Sequence, residues 1–153
     1  MRILIIMDPV EGAVPAKDTT IGFLLAAQGR AHTIDYAQLH DLFIHNGVGG
    51  VRARSIQISP KMEPFYELGA PRVEELSAYD TIWMRKDPPV DRAYLHATHI
   101  LDLAGSDTLV VNSPDGLRFA NEKLYALQFP KLIPDTLVTR NLDQIKEKLR
   151  TNG

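Results

Sequence analysis

The chain has 153 residues, with 17 basic and 19 acidic side chains, and therefore a formal net charge of −2. Its hydrophobic content of 44% and charged content of 24% are those of an ordinary globular domain, which excludes wholesale disorder. The near-neutral balance argues against a nucleic-acid or anionic-membrane partner, since either favours a basic surface. Because the sequence has no cysteine, disulfides, a catalytic thiol and cysteine-ligated zinc are excluded for these residues. No apolar run approaches the roughly 18 residues of a membrane-spanning helix, and we expect a cytoplasmic protein.

The start of the chain predicts a strand, a helix and a second strand. Residues 2–7 are rich in isoleucine and end at an Asp-Pro pair, which is typical of a parallel strand covered on both faces. Asp18 or Thr19 is a candidate N-cap for a helix that ends near Gly29. Together with a strand at 32–36, these elements predict a right-handed βαβ unit.

The middle of the chain predicts an antiparallel excursion. Residues 42–44 and 52–58 flank a Gly-rich turn at 47–50, and the second of these runs alternates imperfectly between apolar and polar residues. This pattern favours a hairpin with one solvated face. A further short strand is expected at 65–68, and the acidic pair Glu74-Glu75 is interpreted as a solvated face.

Regular alternation of strands and helices returns in the second half. The expected elements are a strand at 79–84, a helix capped by Asp91, a strand at 108–111, a helix starting at Ser113-Pro114, a helix at 121–129, a strand at 137–139 and a helix starting at Asn141. The whole pattern predicts an α/β fold: an open, mostly parallel Rossmann-like sheet with helices on both faces and an antiparallel β insertion around residues 42–68.

Ligands of open parallel sheets bind outside the carboxyl ends of the strands, which here selects the loops at 8–19, 85–91 and 112–123. The middle loop reads Arg-Lys-Asp-Pro-Pro from Arg85 to Pro89. The planar guanidinium of arginine suits a carboxylate, and two prolines stiffen the backbone that carries it. A solvated turn that only ends the strand explains the same residues equally well.

The loop at 8–19 carries three further candidate binding residues. Asp8 has the chemistry to bind a substrate ammonium, although a turn that only ends the strand explains it more simply. Lys17 and Thr19 lie where a helix N-terminus can bind an anion, although ordinary capping explains this pattern too. The familiar glycine-rich nucleotide loops are missing, and no pattern assigns a metal ligand or a catalytic residue.

Taken together, these loops resemble those of a known enzyme family. The segments Met84-Arg85-Lys86-Asp87-Pro88-Pro89 and Asn121-Glu122-Lys123-Leu124, followed by Leu137-Val138-Thr139-Arg140, occur in the order and spacing found in the N-terminal portion of bacterial glutathione synthetases. The resemblance covers essentially the whole chain. It implies a pre-ATP-grasp domain at 1–121, followed by the opening of an ATP-grasp region at 122–153.

The resemblance also implies an activity and its ligands. Members of this family are ATP-grasp ligases that join γ-glutamylcysteine to glycine through an acyl phosphate, with Mg²⁺ on the phosphates of ATP. Lys123 then corresponds to a lysine that contacts ATP, and Arg85 and Asp87 face the peptide substrate together with Asp8, Lys17 and Thr19. Most residues that bind ATP and Mg²⁺ in the family lie beyond the region that this chain matches. We therefore expect a truncated ligase that is inactive alone.

Association and two other functions complete these expectations. The resemblance implies a homo-oligomer, and the apolar residues Phe129, Leu132, Ile133 and Leu137 are candidates for a surface that a partner covers. One alternative function is a non-catalytic α/β binding or regulatory module. The other is a receiver-like signalling domain, suggested by Asp8 and Lys86 after two strands.

Overall fold

The computed structural model describes residues 1–120 and 124–151, which form two compact units, Met1–Arg118 and Phe119–Gly153. The strands are β1 Arg2–Ile6, β2 Thr33–Ala37, β3 Leu42–His45, β4 Val48–Ile58, β5 Tyr66–Leu68, β6 Arg72–Glu75, β7 Thr81–Met84 and β8 Leu109–Val111. The α-helices are α1 Thr19–Gly29, α2 Arg92–Leu101, α3 Pro114–Phe119 and α4 Leu142–Thr151. Short 3₁₀ helices occupy Val10–Gly12, Leu39–Asp41, Leu76–Ala78, Asp102–Ala104 and Tyr125–Gln128.

The first unit is built on a mostly parallel sheet in the order β3-β4-β2-β1-β7-β8. Strands β2, β1, β7 and β8 run parallel, whereas β4 runs antiparallel to β2 and also pairs with β3, β5 and β6. This arrangement confirms the predicted fold class, including its antiparallel insertion. Strand β1 has β2 on one side and β7 on the other, so the connections that follow β1 and β2 lead to opposite sides of β1. The carboxyl end of β1 is therefore a topological switch point.

Both faces of the sheet are covered by helices because the side chains of β1 alternate between two apolar clusters. Ile3 and Ile5 pack with the buried face of α1, while Leu4 and Ile6 pack with the buried face of α2. All four isoleucine and leucine side chains are at most 3% exposed. A strand buried on both faces reads as a continuous apolar run, which is why the sequence predicted this one correctly.

The insertion differs in detail from the predicted hairpin. The turn lies at Asn46 and Gly47, both with positive φ, and residues 48–50 belong to β4 rather than to a Gly-rich turn. A Cβ at Gly50 would clash with the ring of Phe43 on the paired strand, so that ring would have to shift. The short strand expected at 65–68 is confirmed as β5, but β6 was not predicted.

Strand β6 contributes to a buried ionic network centred on Asp35, whose side chain is fully buried. The Asp35 carboxylate accepts hydrogen bonds from Arg72, from Arg2 at 3.4 Å and from the Tyr79 hydroxyl at 3.0 Å. Burial and the charge of Asp35 raise the pKa of Tyr79, so the phenol remains a hydrogen-bond donor. The network connects β1, β2 and β6 through side chains.

Glu74 extends this network, which corrects the interpretation of Glu74-Glu75 as a solvated face. Its carboxylate lies 2.8 Å from Arg2 and 3.1 Å from Arg72. Glu75 is exposed as predicted and accepts a hydrogen bond from Ser77. The difference arises because alternate residues of a strand point to opposite faces, and a missed strand hides that alternation.

The ion pairs of Glu74 predict a pH-dependent stability. A hydrogen bond from Arg2 is the largest cause that lowers the pKa of Glu74 from its ordinary value of 4.5. The ionised group therefore stabilises the fold above about pH 4.5, and this contribution disappears as the pH falls through the lowered pKa. We expect Glu74→Gln to lower the unfolding free energy by less than about 1 kcal/mol at pH 7 and to have little effect in acid. Urea titrations between pH 3 and 7 measure this, with Glu75→Gln as the matched control; equal losses at both pH values would contradict it.

The elements after residue 108 depart most from the predictions. The strand at 108–111 is observed as β8 but is the edge of the described sheet, with Leu109 64% exposed rather than buried. Part of the helix expected at 121–129 lies outside the described residues, and Tyr125–Gln128 forms a 3₁₀ helix instead of an α-helix. No strand forms at 137–139, because none of the described residues of the second unit supplies a partner strand.

The helix expected to begin at Asn141 is confirmed as α4. The Asn141 side chain accepts a hydrogen bond from the backbone N–H of Asp143 and so caps the helix. In the same unit Phe129, Leu132 and Leu137 are exposed, while Ile133 is partly buried. Association through these residues and a domain boundary at residue 121 stay predictions.

Candidate functional site

The candidate site forms where β1 and β7 end side by side. Ile6 is paired with Met84, and the backbone N–H of Arg85 donates to the Ile6 carbonyl at 2.7 Å. The two parallel strands therefore release Asp8 and Arg85 at the same edge of the sheet. The N-terminus of α1 also lies at this edge, where Asp18 caps the helix and accepts hydrogen bonds from the backbone N–H groups of Thr20 and Ile21.

These segments enclose a cleft of about 390 Å³. Its lining includes every described residue that the sequence analysis proposed for substrate binding: Asp8, Lys17, Thr19, Arg85 and Asp87. Met7, Gly12, Ala13, Val14, Asp18 and Thr20 complete the wall. Asp8 and Asp87, which lie 79 positions apart in the sequence, thus share one concave surface.

Arg85 is held in this cleft by hydroxyl groups and an aromatic ring. Its Nη2 donates to Oγ1 of Thr19 at 3.1 Å, and its Nε donates to Oγ1 of Thr20 at 3.3 Å. The guanidinium carbon lies 5.6 Å from the centroid of the Phe23 ring. No carboxylate of the described residues lies within ion-pair distance of Arg85. The side chain is therefore oriented without being neutralised, which is what a site for an anionic group requires.

The sequence analysis missed the aromatic support of Arg85. Phe23 lies on α1 and contacts Trp83 of β7 edge to face, with ring centroids 5.5 Å apart. Phe23 is 45% exposed, and Trp83 and Arg85 cover part of its ring. The sequence signal for this support was an aromatic residue in the second turn of the helix, but a sequence alone does not show which side chain covers it.

Asp8 faces the cleft but is engaged with the loop after β7. Its Oδ1 lies 2.9 Å from Nζ of Lys86, and its Oδ2 accepts the backbone N–H of Asp87 at 3.1 Å. Lys86 also donates to the carbonyl of Asp87 at 2.6 Å. Asp8 thus fixes the Lys86-Asp87 backbone and carries a neutralised charge, and a substrate ammonium would have to compete with Lys86 for it.

Two expectations about cofactors concern other parts of the chain. Lys123, proposed to contact ATP, lies outside the described residues. Among residues 1–120 and 124–151, no three His, Asp or Glu side chains are grouped so that they could hold a metal ion. Over the same residues, no helix is both long and apolar enough to cross a bilayer.

Comparison with known proteins assigns the part of the chain that forms this cleft to a protein family. The family model of the prokaryotic glutathione synthetase N-terminal domain matches residues 1–118. The chain belongs to this family. The match contains the whole sheet and all the residues that line the cleft.

Curated relatives of the family extend the similarity to the rest of the chain. A glutathione synthetase of Gloeobacter violaceus is 43% identical over 159 aligned positions, which cover 100% of this chain and 49% of the relative. Those of Thermosynechococcus vestitus and Salmonella typhimurium are 40% and 41% identical and are covered to 51% and 49%. The chain thus spans about half the length of the curated relatives it matches. Its kinship with the N-terminal part of glutathione synthetases confirms the resemblance drawn from the Arg85 loop.

Proposed function

We propose that this chain forms the peptide-binding part of a glutathione synthetase. The parent enzyme would join γ-glutamylcysteine to glycine at the expense of ATP. The observation that carries the proposal is the Arg85 guanidinium, oriented by Thr19 and Thr20 in the cleft without a carboxylate partner among the described residues. The family membership of residues 1–118 supports the same activity.

The chain's own groups are suited to binding and orienting an acidic peptide. We propose that Arg85 binds one carboxylate of γ-glutamylcysteine through two parallel hydrogen bonds, since its fork matches the two oxygens. Lys17 lines the same cleft and adds a second positive charge. Asp87 also lines the cleft and has the chemistry to accept the substrate's ammonium. Asp8 positions the Asp87 backbone by accepting its N–H.

The reaction proposed for the complete enzyme has two balanced steps. The cysteinyl carboxylate attacks the γ-phosphorus of ATP, and ADP leaves with the electrons of the broken P–O bond. The glycine amine then attacks the acyl carbon, phosphate leaves, and the amine loses a proton as the peptide bond forms. Mg²⁺ would supply charge neutralisation of the phosphates, a contribution for which the described residues provide no ligand set. We propose that Lys123 contacts ATP, with most of the nucleotide and metal ligands contributed by the part of the relatives that this chain does not match.

Calorimetric titration of the 153-residue chain with γ-glutamylcysteine tests the proposal. We expect saturable binding that decreases with added salt, because an anionic group binds a partly exposed cation. The Arg85→Ala chain is the control and is expected to bind γ-glutamylcysteine much more weakly. We also expect no phosphate release from ATP in the same mixture. An absence of any binding heat would overturn the assignment of the cleft. Binding without turnover is expected both for the N-terminal part of a ligase and for a non-catalytic binding module.

The calorimetric experiment separates a chain that binds the dipeptide from an inert scaffold, and family membership favours the ligase over a regulatory module. Family membership also favours the ligase over the receiver-like alternative. The proximity of Asp8 and Lys86, which suggested a receiver, is explained by their ion pair across the ends of β1 and β7.

A further inference from the structure

A second pocket lies on the other side of the short helix Val10–Gly12. Glu11 of this helix lines the second pocket, whereas Gly12 lines the cleft described above. The second pocket has a volume of about 260 Å³ and is formed mainly by β2, β4 and the loop after β2. Its lining residues are Glu11, Tyr36, Gln38, His40, Asp41, Arg52, Arg54, Leu68 and Pro71. The proposed ligase function uses none of them.

One wall of the pocket carries two arginines that have no ionic partner. Arg52 and Arg54 are two positions apart on β4 and so point to the same face, and Arg54 is paired with Tyr36 of β2. Within the described residues, neither guanidinium has a carboxylate within ion-pair distance or makes a side-chain hydrogen bond. Arg2 and Arg72 of the same unit, by contrast, both bind Asp35. Two adjacent guanidinium groups without a carboxylate partner, on one face of a strand, are suited to bind the two oxygens of a carboxylate.

The floor of the pocket holds a buried hydroxyl without a partner. Tyr36 is 5% exposed, and its hydroxyl makes no hydrogen bond of normal geometry within the described chain, although it faces the backbone of Val10 and the side chain of Gln38. Burial is the largest cause that raises the pKa of Tyr36. Buried hydroxyl groups almost always have a partner, and one that lines a cavity and lacks a partner indicates a ligand or an ordered water.

The acidic groups of the pocket differ in their availability. Asp41 is occupied, since its Oδ2 accepts the backbone N–H of Gln38 at 2.9 Å and its Oδ1 faces His40. Glu11 has no basic side chain within ion-pair distance among the described residues. After burial, the charge of Glu11 and its hydrogen bond with Tyr66 of β5 raise the pKa of Tyr66. The pocket thus places a carboxylate without a cationic partner on the short helix and two arginines without a carboxylate partner on β4.

We propose that this pocket is a second binding site, which takes a zwitterionic ligand: an amino acid or the amino-acid end of a short peptide. The ligand carboxylate binds Arg52 and Arg54 and accepts a hydrogen bond from Tyr36, while its ammonium lies against Glu11. A ligand that carries only negative charge is disfavoured, because Glu11 repels it. The site lies outside the Arg85 cleft and does not depend on the ligase function.

Titration of the ¹⁵N-labelled chain with L-alanine, the smallest chiral ligand of this class, tests the site. We expect saturable NMR shifts at the backbone amides around Tyr36 and Arg54. Because hydrogen bonds to a charged group are lost, Arg54→Ala is expected to weaken binding about tenfold or more, and Tyr36→Phe about fivefold. Propionate lacks the ammonium and phosphate carries only negative charge, so both are expected to bind more weakly than L-alanine.

One arginine variant serves as the control. Arg92→Ala removes an exposed arginine of α2 and is expected to leave L-alanine binding at Tyr36 and Arg54 unchanged. The inference is overturned if L-alanine gives no saturable shifts, if propionate or phosphate binds as tightly as L-alanine, or if Arg92→Ala weakens binding as much as Arg54→Ala. Because γ-glutamylcysteine binding is tested through Arg85, either proposal can fail while the other stands.

Discussion

Replacing Asp35 with asparagine is expected to lower the free energy of unfolding by about 3 kcal/mol, the largest stability effect that we predict for a single polar residue. The carboxylate is fully buried and is shared by Arg72, Arg2 and the Tyr79 hydroxyl. Asparagine keeps the shape of the side chain but removes the negative charge, which leaves two guanidinium groups beside a neutral amide. The cost of breaking a buried ionic network comes mainly from the partners that remain uncompensated.

The expected loss is at the lower end of the range for buried pairs, because the two arginines are not themselves fully buried. Their side chains are 29% and 36% exposed, so that water can replace part of what Asp35 provided, and Glu74 still binds both. Urea denaturation at pH 7, followed by circular dichroism, measures the change. Asp107→Asn is the control, because Asp107 is exposed and, among the described residues, its carboxylate accepts a side-chain hydrogen bond only from the neighbouring Ser106. A loss below about 1 kcal/mol, equal to a surface ion pair, would contradict the prediction.

This network also marks the limit of what the sequence could predict. The partners of Asp35 lie 33, 37 and 44 positions away, and their encounter depends on the pairing of β6 with β4. Strand β6 has charged residues at three of its four positions and therefore gives no apolar signal. A polar residue inside an otherwise buried strand suggests a structural or functional role, but its identity as an ionic hub is a property of the tertiary structure.

The cleft was easier to predict, because it follows from a rule about topology rather than from long-range packing. Parallel strands end at a common edge, so the loops after β1 and β7 meet once the sheet is correctly assigned. That inference placed Asp8 and Arg85 together before any contact was known. The pairing of Asp8 with Lys86 was not predicted, since the choice between neighbouring cations depends on side-chain geometry that a loop sequence does not encode.

The failed strand at 137–139 illustrates the opposite error. Leu137-Val138-Thr139 has the composition of a strand, and β propensity is a property of fitting a half-buried, paired surface. Leu137 and Val138 are exposed, and no strand of the described second unit pairs with them. Without a partner for its backbone groups, an extended segment is not a strand, whatever its composition.

Replacing Arg85 is expected to have the largest effect on ligand binding. If the cleft binds γ-glutamylcysteine, Arg85→Ala removes the charged donor of a carboxylate and should weaken binding about 100-fold, equivalent to about 3 kcal/mol. Arg85→Lys keeps the charge but loses the two-pronged geometry and the hydrogen bonds that Thr19 and Thr20 use to orient the side chain. We expect the lysine variant to bind about tenfold more weakly than the parent chain.

The comparison of alanine with lysine distinguishes positioning from charge. Calorimetric titration with γ-glutamylcysteine measures both variants, and urea denaturation measures their stability. We expect only a small loss of stability, because the Arg85 side chain makes only exposed or partly buried hydrogen bonds. Arg92→Ala, an exposed arginine on α2, is the control for the loss of one positive charge from the chain. Equal binding by the parent chain and Arg85→Ala would remove the cleft from the peptide site. Equal binding by the parent chain and Arg85→Lys would instead show that the hydroxyl-oriented fork contributes nothing beyond its charge.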